Sequence, residues 1–204
     1  MTFISFAEPF KKLIATVVAS DELHAKWLNT LSYLENCGAK KIAACEHPTK
    51  VKEEMLKHAA EEFRHALYLK KQIGKIFNYP MDSYGLNFML GGMATWHYLI
   101  KVDVQICRYL KKEGFTGRDL KEAAYLLTTY AIERRADELY PIYDEVLKRV
   151  VSKVKVKSIL LEEEEHLHEM EEGIASLKQG KIHADQACVI ESRLCHRWLE
   201  GLYK

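Results

Sequence analysis

The amino-acid sequence predicts an all-α protein with a single domain over residues 1–204. Only 4 prolines and 10 glycines occur in 204 residues, and most lie near the ends of segments. Because both residues interrupt helices, their scarcity favours long helices. Apolar residues also recur at spacings of three and four, which is typical of amphipathic helices. We therefore predict six helices around one core, a size that suits a chain of this length.

Composition narrows the functional class. The chain carries 30 basic and 29 acidic residues and no basic tract, which disfavours a nucleic-acid partner. No apolar run reaches the ~18 residues of a membrane span, and the lysine pair at 11–12 lies between two apolar stretches, unlike a signal peptide. The 5 scattered cysteines form no C-x-x-C motif. They favour reduced thiols and a cytoplasmic location.

The first segment and the first long helix are separated at Ser20. Residues 1–19 form either a short helix or an irregular arm. Ser20 then has the character of an N-cap, because two acidic residues follow it at the positive end of the helix dipole. The helix is predicted to end near Cys45, and Glu35 interrupts its apolar stripe.

The second helix carries the first Glu-x-x-His pair. It is predicted to start after the break at 46–49 and to end near 78–80. Its apolar stripe runs from Val51 to Ile73 and is interrupted by Glu62 and His65. Residues three apart share a helix face, so both side chains are expected to face the core. A buried, unpaired carboxylate is too costly to leave without a proton, a partner or a metal.

The third and fourth helices follow a glycine-containing loop at 83–92. The third helix, 93–112, is the most apolar, and Asp103 interrupts its stripe of Trp96, Leu99, Ile106 and Leu110. The fourth helix, 119–150, places Glu133 on an inner face with Tyr130, Asp137 and Tyr140. Pro141 is expected to kink it.

The fifth helix, 154–178, carries two competing Glu-x-x-His pairs. Glu163 and His166 lie on its apolar stripe, whereas Glu165 and His168 share a solvated face. The sixth helix, 184–203, is a packing helix with the stripe Ala187, Ile190, Leu194, Trp198 and Leu202.

The polar interruptions form an ordered series: Glu, Glu-x-x-His, Glu, Glu-x-x-His. The six residues are Glu35, Glu62, His65, Glu133, Glu163 and His166. This is the ligand set of carboxylate-bridged di-metal sites in helical bundles. Four carboxylates neutralise two divalent cations, and oxygen-rich ligands with one imidazole per metal suit Fe or Mn better than structural Zn. We predict two iron ions, with Fe/Mn and Mn/Mn as alternatives.

Over residues 22–178 this ordered set resembles the ferritin-like di-iron carboxylate superfamily. The resemblance implies a ferritin-like four-helix bundle with two additional helices, one in the crossover and one at the C-terminus. The segment 61–65, EEFRH, is similar to the [Asp/Glu]-Glu-x-Arg-His motif of bacterial multicomponent monooxygenases, whereas the second copy has Glu165 in place of the Arg. In those families the acid before the ligand Glu hydrogen-bonds a ligand His. The resemblance therefore implies that Glu61 and Glu162 support the ligands from outside.

Several neighbouring residues have more than one interpretation. His58, one turn before Glu62, is a seventh ligand, a proton shuttle or, as we favour, a buried structural histidine. Asp103 either orients a ligand His or pairs with Arg134 or Arg135. Tyr33 and Tyr130 have either a radical role or, as we favour, a packing role in the core. The set Cys188, Cys195, His183 and His196 is either a second metal site or, as we favour, contains ordinary core thiols.

The resulting functional hypothesis is an O₂-activating oxidoreductase, a hydroxylase or oxygenase. One metal would be held by Glu35, Glu62 and His65, and the other by the remaining three ligands, with one or two Glu residues bridging the metals. Which Glu residues are shared stays open. The substrate, the electron donor and the oligomeric state, a homodimer included, stay open. Alternatives are a ferroxidase or iron-binding ferritin- or rubrerythrin-like protein, a tRNA-modifying hydroxylase-like enzyme, and a structural helical protein with ion-paired clusters. An apolar pocket beside the metals would favour the oxygenase.

Overall fold

A computed structural model describes residues 3–203, and this part of the chain is all-helical, with no strand. A short 3₁₀ turn, Leu86–Phe88, lies in the loop before the fourth helix. The seven α-helices are α1 (Ala7–Val18), α2 (Asp21–Cys45), α3 (Glu53–Ile73), α4 (Gly92–Lys112), α5 (Gly117–Arg149), α6 (Lys157–Ser176) and α7 (Gly180–Leu202).

The prediction of an all-helical chain is confirmed, and most boundaries are close to those expected. The Ser20 hydroxyl accepts a hydrogen bond from the backbone N–H of Leu23 at 3.4 Å, which confirms the N-cap of α2. The segment 1–19 contains helix α1 rather than an irregular arm, although residues 1–2 lie outside the described part. Helices α3 and α6 are shorter than predicted at both ends. Helix α5 continues through Pro141.

The helix directions follow from side-chain pairs. Ser32 of α2 donates to the Ala66 carbonyl of α3 at 2.7 Å. Lys70, one turn later in α3, donates to Asn29, which lies one turn earlier in α2, so the two helices are antiparallel. Helices α5 and α6 form a second pair joined by a short connection. Between the pairs, Lys57 near the start of α3 lies 2.8 Å from Glu165, and the later residue Arg64 reaches Glu162.

Because α3 and α6 run in opposite directions, corresponding turns of their inner faces oppose each other. Helix α4 makes the long connection between the pairs and packs on α7. The inner faces of α2, α3, α5 and α6 therefore meet along one central line. No helix in residues 3–203 is long and apolar enough to cross a membrane.

The core includes an aromatic cluster where α1, α2, α4 and α7 meet. Trp198 of α7 stacks on Trp27 and Tyr98 and contacts Phe10 of α1. The predicted α7 stripe is entirely buried, which confirms that helix as a packing helix.

Three residues that the sequence predicts to face the core are exposed instead, so these predictions are wrong. Val51 is exposed because it precedes the first turn of α3, and Asp137 lies on the solvent side of α5. Trp96 is also exposed, on the outer face of α4, where its indole N–H donates to the Tyr84 carbonyl at 3.0 Å.

An ion-pair network that the sequence did not indicate joins α5, α7 and the N-terminal segment. Arg135 donates to both carboxylate oxygens of Glu191 at 3.0 and 2.8 Å, and to the Ile4 carbonyl at 3.0 Å. Tyr98 donates to the same Glu191, and Arg135 also pairs with Glu138. The network satisfies these buried charges, so it keeps Arg135 away from the polar residues at the centre.

Candidate metal centre

The structure brings all six predicted ligands together on the central line between α2, α3, α5 and α6. Five of the six residues are buried, and the side chain of Glu35 is 11% exposed. The competing pair Glu165 and His168 is exposed, as predicted. Apolar periodicity thus separated the inward Glu-x-x-His pairs from the outward one.

A glycine allows α2 to approach α3 at the centre. A Cβ atom at Gly38 would lie 3.0 Å from Oε2 of Glu62, closer than ordinary carbon–oxygen contact. The sequence places Gly38 on the apolar stripe of this helix but does not show that it meets Glu62. Its signal was a glycine inside a helical segment, three residues after a candidate ligand.

The ligand atoms form two groups. In each group, one ligand atom per residue lies within 4.8 Å of the others. Oε1 of Glu62 lies 3.7 Å from Nδ1 of His65 and 3.6 Å from Nδ1 of His166, so it faces both groups. The groups are Glu35, Glu62, His65 and Glu163, and His58, Glu62, Glu133 and His166.

The grouping differs in two respects from the sequence hypothesis, which placed Glu163 with His166 and favoured a structural role for His58. Oε1 of Glu163 instead lies 3.1 Å from Nδ1 of His65. Because α3 and α6 are antiparallel, the residue one turn before His166 faces across to His65. The pairing of ligands therefore depends on helix direction, which the sequence motif does not contain.

Each ligand histidine is held by a carboxylate from the opposite Glu-x-x-His motif. His65 Nε2 donates to Glu162 at 2.6 Å, and His166 Nε2 donates to Glu61 at 2.9 Å. Arg64 also donates to Glu162 at 2.8 Å. A carboxylate is an acceptor only, so in the neutral imidazole the ring proton lies on Nε2 and the Nδ1 atom that faces the centre is free to bind a metal. These contacts place Glu61 and Glu162 where the resemblance implied.

The unpartnered polar atoms of the interior concentrate at this centre. Within residues 3–203, six of the ten buried side-chain N and O atoms without a hydrogen-bond partner belong to the two groups. The six atoms are His58 Nδ1, Glu62 Oε1, His65 Nδ1, Glu133 Oε2, Glu163 Oε1 and His166 Nδ1. Buried polar atoms are normally paired, so the unpartnered carboxylate oxygens and the Nδ1 atoms of His65 and His166 that converge here point to a cation. His58 faces the same centre through Nε2 and not through Nδ1.

The residues present fit a pair of divalent cations. In the described part of the chain, no lysine or arginine pairs with the four inner carboxylates, whose only ion-pair partners are histidines. Carboxylate oxygens and neutral imidazole nitrogens are ligands of Fe²⁺ and Mn²⁺. The outer carboxylates supply the support that ligand histidines usually have.

In the metal-free protein, three residues of the cluster have raised pKa values and therefore retain their protons. Burial and then the nearby charge of Glu62 raise the pKa of Glu35 well above its usual range. Burial and the charge of Glu163 do the same for the pKa of Glu133. Burial would lower the pKa of His65, but the carboxylates of Glu163 and Glu62, whose oxygens lie 3.1 and 3.7 Å from Nδ1, raise it to about 12.

The pKa values of Glu163 and His58 are instead lowered. Burial would raise the pKa of Glu163, but the adjacent His65 imidazole and Glu133 carboxyl lower it to about 2. Burial and then the charge of His166 lower the pKa of His58 to about 3. In the metal-free cluster, Glu35, Glu133 and His65 thus retain protons that metal binding would have to displace.

Two further residues complete the surroundings of Glu35 and His58. The Tyr140 hydroxyl donates to Glu35, an interaction that the sequence indicated only by placing Tyr140 on the face of Glu133. His58 is 1% exposed, and its Nε2 lies 3.2 Å from Oε1 of Glu133. It therefore lies inside the cluster and not merely in the packing around it.

Asp103 lies apart from the cluster, and both sequence interpretations of it are wrong. Its carboxylate pairs with Lys41 of α2 at 2.6 Å and accepts from the Cys107 thiol at 3.6 Å. Arg135 is already bound by Glu191, and Arg134 lies over the ring of Phe3. Cys188 and Cys195 are free thiols in the core and belong to neither ligand group.

A mainly apolar cavity of about 200 Å³ adjoins the cluster between α2, α4 and α5. Glu35, Glu62, Glu133 and Glu163 form its polar end. Thr128 lines this cavity, and its hydroxyl is buried and has no partner among the described residues. Apolar lining residues include Leu31, Leu34, Ile42, Leu99, Ile132 and Leu139.

Comparisons with protein-family models, with curated proteins and with solved structures find no match to this chain. The functional conclusion therefore depends on the geometry of the centre itself.

Proposed function

We propose that this chain is a non-haem di-metal carboxylate protein of the ferritin-like kind, and that it is an O₂-activating oxidoreductase. The observation that carries the proposal is the convergence of unpartnered, buried oxygen and nitrogen atoms on Oε1 of Glu62. A structural ion-pair cluster would balance its charges with lysine or arginine, and none contacts the inner carboxylates within residues 3–203. Two divalent cations balance four carboxylates without such partners.

The helix arrangement supports the ferritin-like part of the proposal. Two antiparallel helix pairs are joined by a long connection that contains α4. One long crossover is the connection that ferritin-like bundles use. The ligands come from all four paired helices, in the order of that superfamily's motif.

The residues that hydrogen-bond the ligands have a supporting role in this proposal. Glu61 and Glu162 keep the ring protons of His166 and His65 on Nε2, so that both Nδ1 atoms stay available as ligands. Tyr140 holds Glu35 in position by donating a hydrogen bond to it. A bound pair of reduced iron ions would supply electrons for O₂ reduction and Lewis acidity.

The cavity favours an organic substrate over iron storage. An apolar space of about 200 Å³ beside the carboxylates has no use in a protein whose only substrate is Fe²⁺. It is slightly larger than an engineered cavity of about 150 Å³ that stays dry and binds benzene. Its walls would exclude water from the centre and hold a small apolar molecule against the polar end.

The test is oxygen consumption by protein loaded anaerobically with two equivalents of Fe²⁺. The oxygenase proposal expects a single turnover to oxidise both irons, and expects multiple turnovers with a chemical reductant to accelerate when a single-ring compound such as phenol is present. Oxidation of Fe²⁺ that no organic compound changes, with continued turnover when more Fe²⁺ is added, would indicate a ferroxidase instead. Absence of metal uptake would refute the whole proposal.

A further inference from the structure

His58 is the seventh polar residue at the centre, and it faces the ligands directly. Its Nε2 lies 3.2 Å from Oε1 of Glu133 and 3.8 Å from Oε1 of Glu62. Its ring centroid lies 4.0 Å from that of His166. The spacing explains this placement, since His58 precedes Glu62 by one helical turn and lies on the same face of α3.

The position of His58 makes the two groups chemically unequal. One group offers two imidazoles, His58 and His166, with Glu62 and Glu133. The other offers one imidazole, His65, with three carboxylates. Glu62 is the only residue common to both groups.

We propose that His58 is a seventh metal ligand and that the protein has two unlike metal positions, one rich in nitrogen and one rich in oxygen. This inference rests on the proposed di-metal function. Imidazole favours the later divalent metals of the first row, whereas an oxygen-rich position suits Mn²⁺ as well as Fe²⁺. The metals would therefore bind in two separable steps, and the arrangement is suited to a mixed Fe/Mn pair.

The competing role for His58 is that of a positioning residue that donates a hydrogen bond from Nε2 to Glu133. The variant His58→Gln distinguishes the two roles. A glutamine amide can still donate to the Glu133 carboxylate, but it is a poor ligand for these metals. A positioning role is thus rescued by the substitution, whereas a ligand role is lost.

His24→Gln provides the matched control. His24 is likewise buried in a helix, and its Nε2 lies 2.6 Å from the Tyr143 hydroxyl, away from both ligand groups. Removal of this imidazole tests the general cost of replacing a buried histidine. Metal binding by His24→Gln is expected to equal that of the unsubstituted protein.

The experiment is an anaerobic titration of metal-free protein with Co²⁺. Calorimetry measures the affinity of each binding step, and the visible ligand-field bands report the coordination of the bound Co²⁺. We expect two steps for the unsubstituted protein. We expect His58→Gln to weaken the tighter step at least tenfold and to leave the other within twofold. Two unchanged steps in His58→Gln would overturn the inference and leave the di-metal function intact.

X-ray absorption of the unsubstituted protein at one equivalent of Co²⁺ keeps the test decisive if His58→Gln does not fold. Two imidazoles per cobalt support the inference, and a single imidazole overturns it. No Co²⁺ uptake by the unsubstituted protein would refute the proposed function, and this inference with it.

Discussion

Removal of metal should make the stability of this protein fall as the pH rises from 6.5 to 8. Glu35, Glu133 and His65 have raised pKa values in the folded chain, chiefly through burial for the two carboxyls and through two adjacent carboxylates for the imidazole. The unfolded chain releases these protons near pH 4.3 and 6.5. The folded state then binds more protons, so the free energy of unfolding decreases with pH.

The expected size follows from the number of retained protons. Each one lowers the free energy of unfolding by about 1.4 kcal/mol per pH unit, or about 2 kcal/mol across this window, which sets a ceiling of about 6 kcal/mol for all three. The lowered pKa of Glu163 adds no slope here, because its contribution is constant above about pH 4.3 and is lost only as the pH falls toward 2. The window also stays below the usual thiol pKa of about 8.5.

The assay is urea denaturation of metal-free and metal-loaded protein at three pH values in this window. Metal ligands are deprotonated when bound, so the loaded protein should lose most of the slope. Glu133→Gln should reduce the metal-free slope by about one proton, and the exposed control Glu165→Gln should leave it unchanged. A metal-free stability that is flat or rises with pH would refute the reasoning.

Three further predictions test individual contacts. Gly38→Ala places a Cβ 3.0 Å from the Glu62 carboxylate, so metal affinity measured by calorimetry should fall about tenfold, whereas Gly74→Ala, whose Cβ has its nearest neighbour at 3.8 Å, should bind normally. Glu162→Gln removes the carboxylate that accepts from a ligand imidazole, so affinity should fall about 10- to 100-fold while saturating metal still gives two ions; an unchanged affinity would contradict the supporting role. Ala136→Leu partly fills the cavity of about 200 Å³, so ligand-observed NMR should show phenol binding weakened at least tenfold with metal content unchanged; equal phenol binding would show that the ligand does not occupy this cavity.

The sequence predicts which carboxylates face the centre, because burying an unpaired charge in the interior costs free energy. Glu62 and Glu163 could be separated from Glu165 because each interrupts an apolar stripe, and the structure buries the first two and exposes the third. A Glu-x-x-His pattern alone does not distinguish them. The same reasoning identified α7 as a packing helix from its apolar period.

The remaining features depend on how helices face one another, which periodicity does not contain. Glu163 faces His65 because α3 and α6 are antiparallel, and Asp103 meets Lys41 because α4 lies against α2. The partnership of Arg135 with Glu191 likewise links residues that are far apart in the chain. Trp96 fits the apolar stripe predicted for α4, which favours an inward position. It instead lies at the surface, where its indole N–H donates to the Tyr84 carbonyl.

The most direct test of the central claim is the metal content of protein purified without chelator and then titrated with Fe²⁺ under anaerobic conditions. The two ligand groups predict about two ions per chain, measured by inductively coupled plasma mass spectrometry. They also predict that the variant Glu62→Ala, which removes the residue common to both groups, retains its helical content and binds fewer ions. No bound metal and no uptake of either Fe²⁺ or Mn²⁺ by the folded chain would contradict the account and leave a structural cluster of carboxylates and histidines.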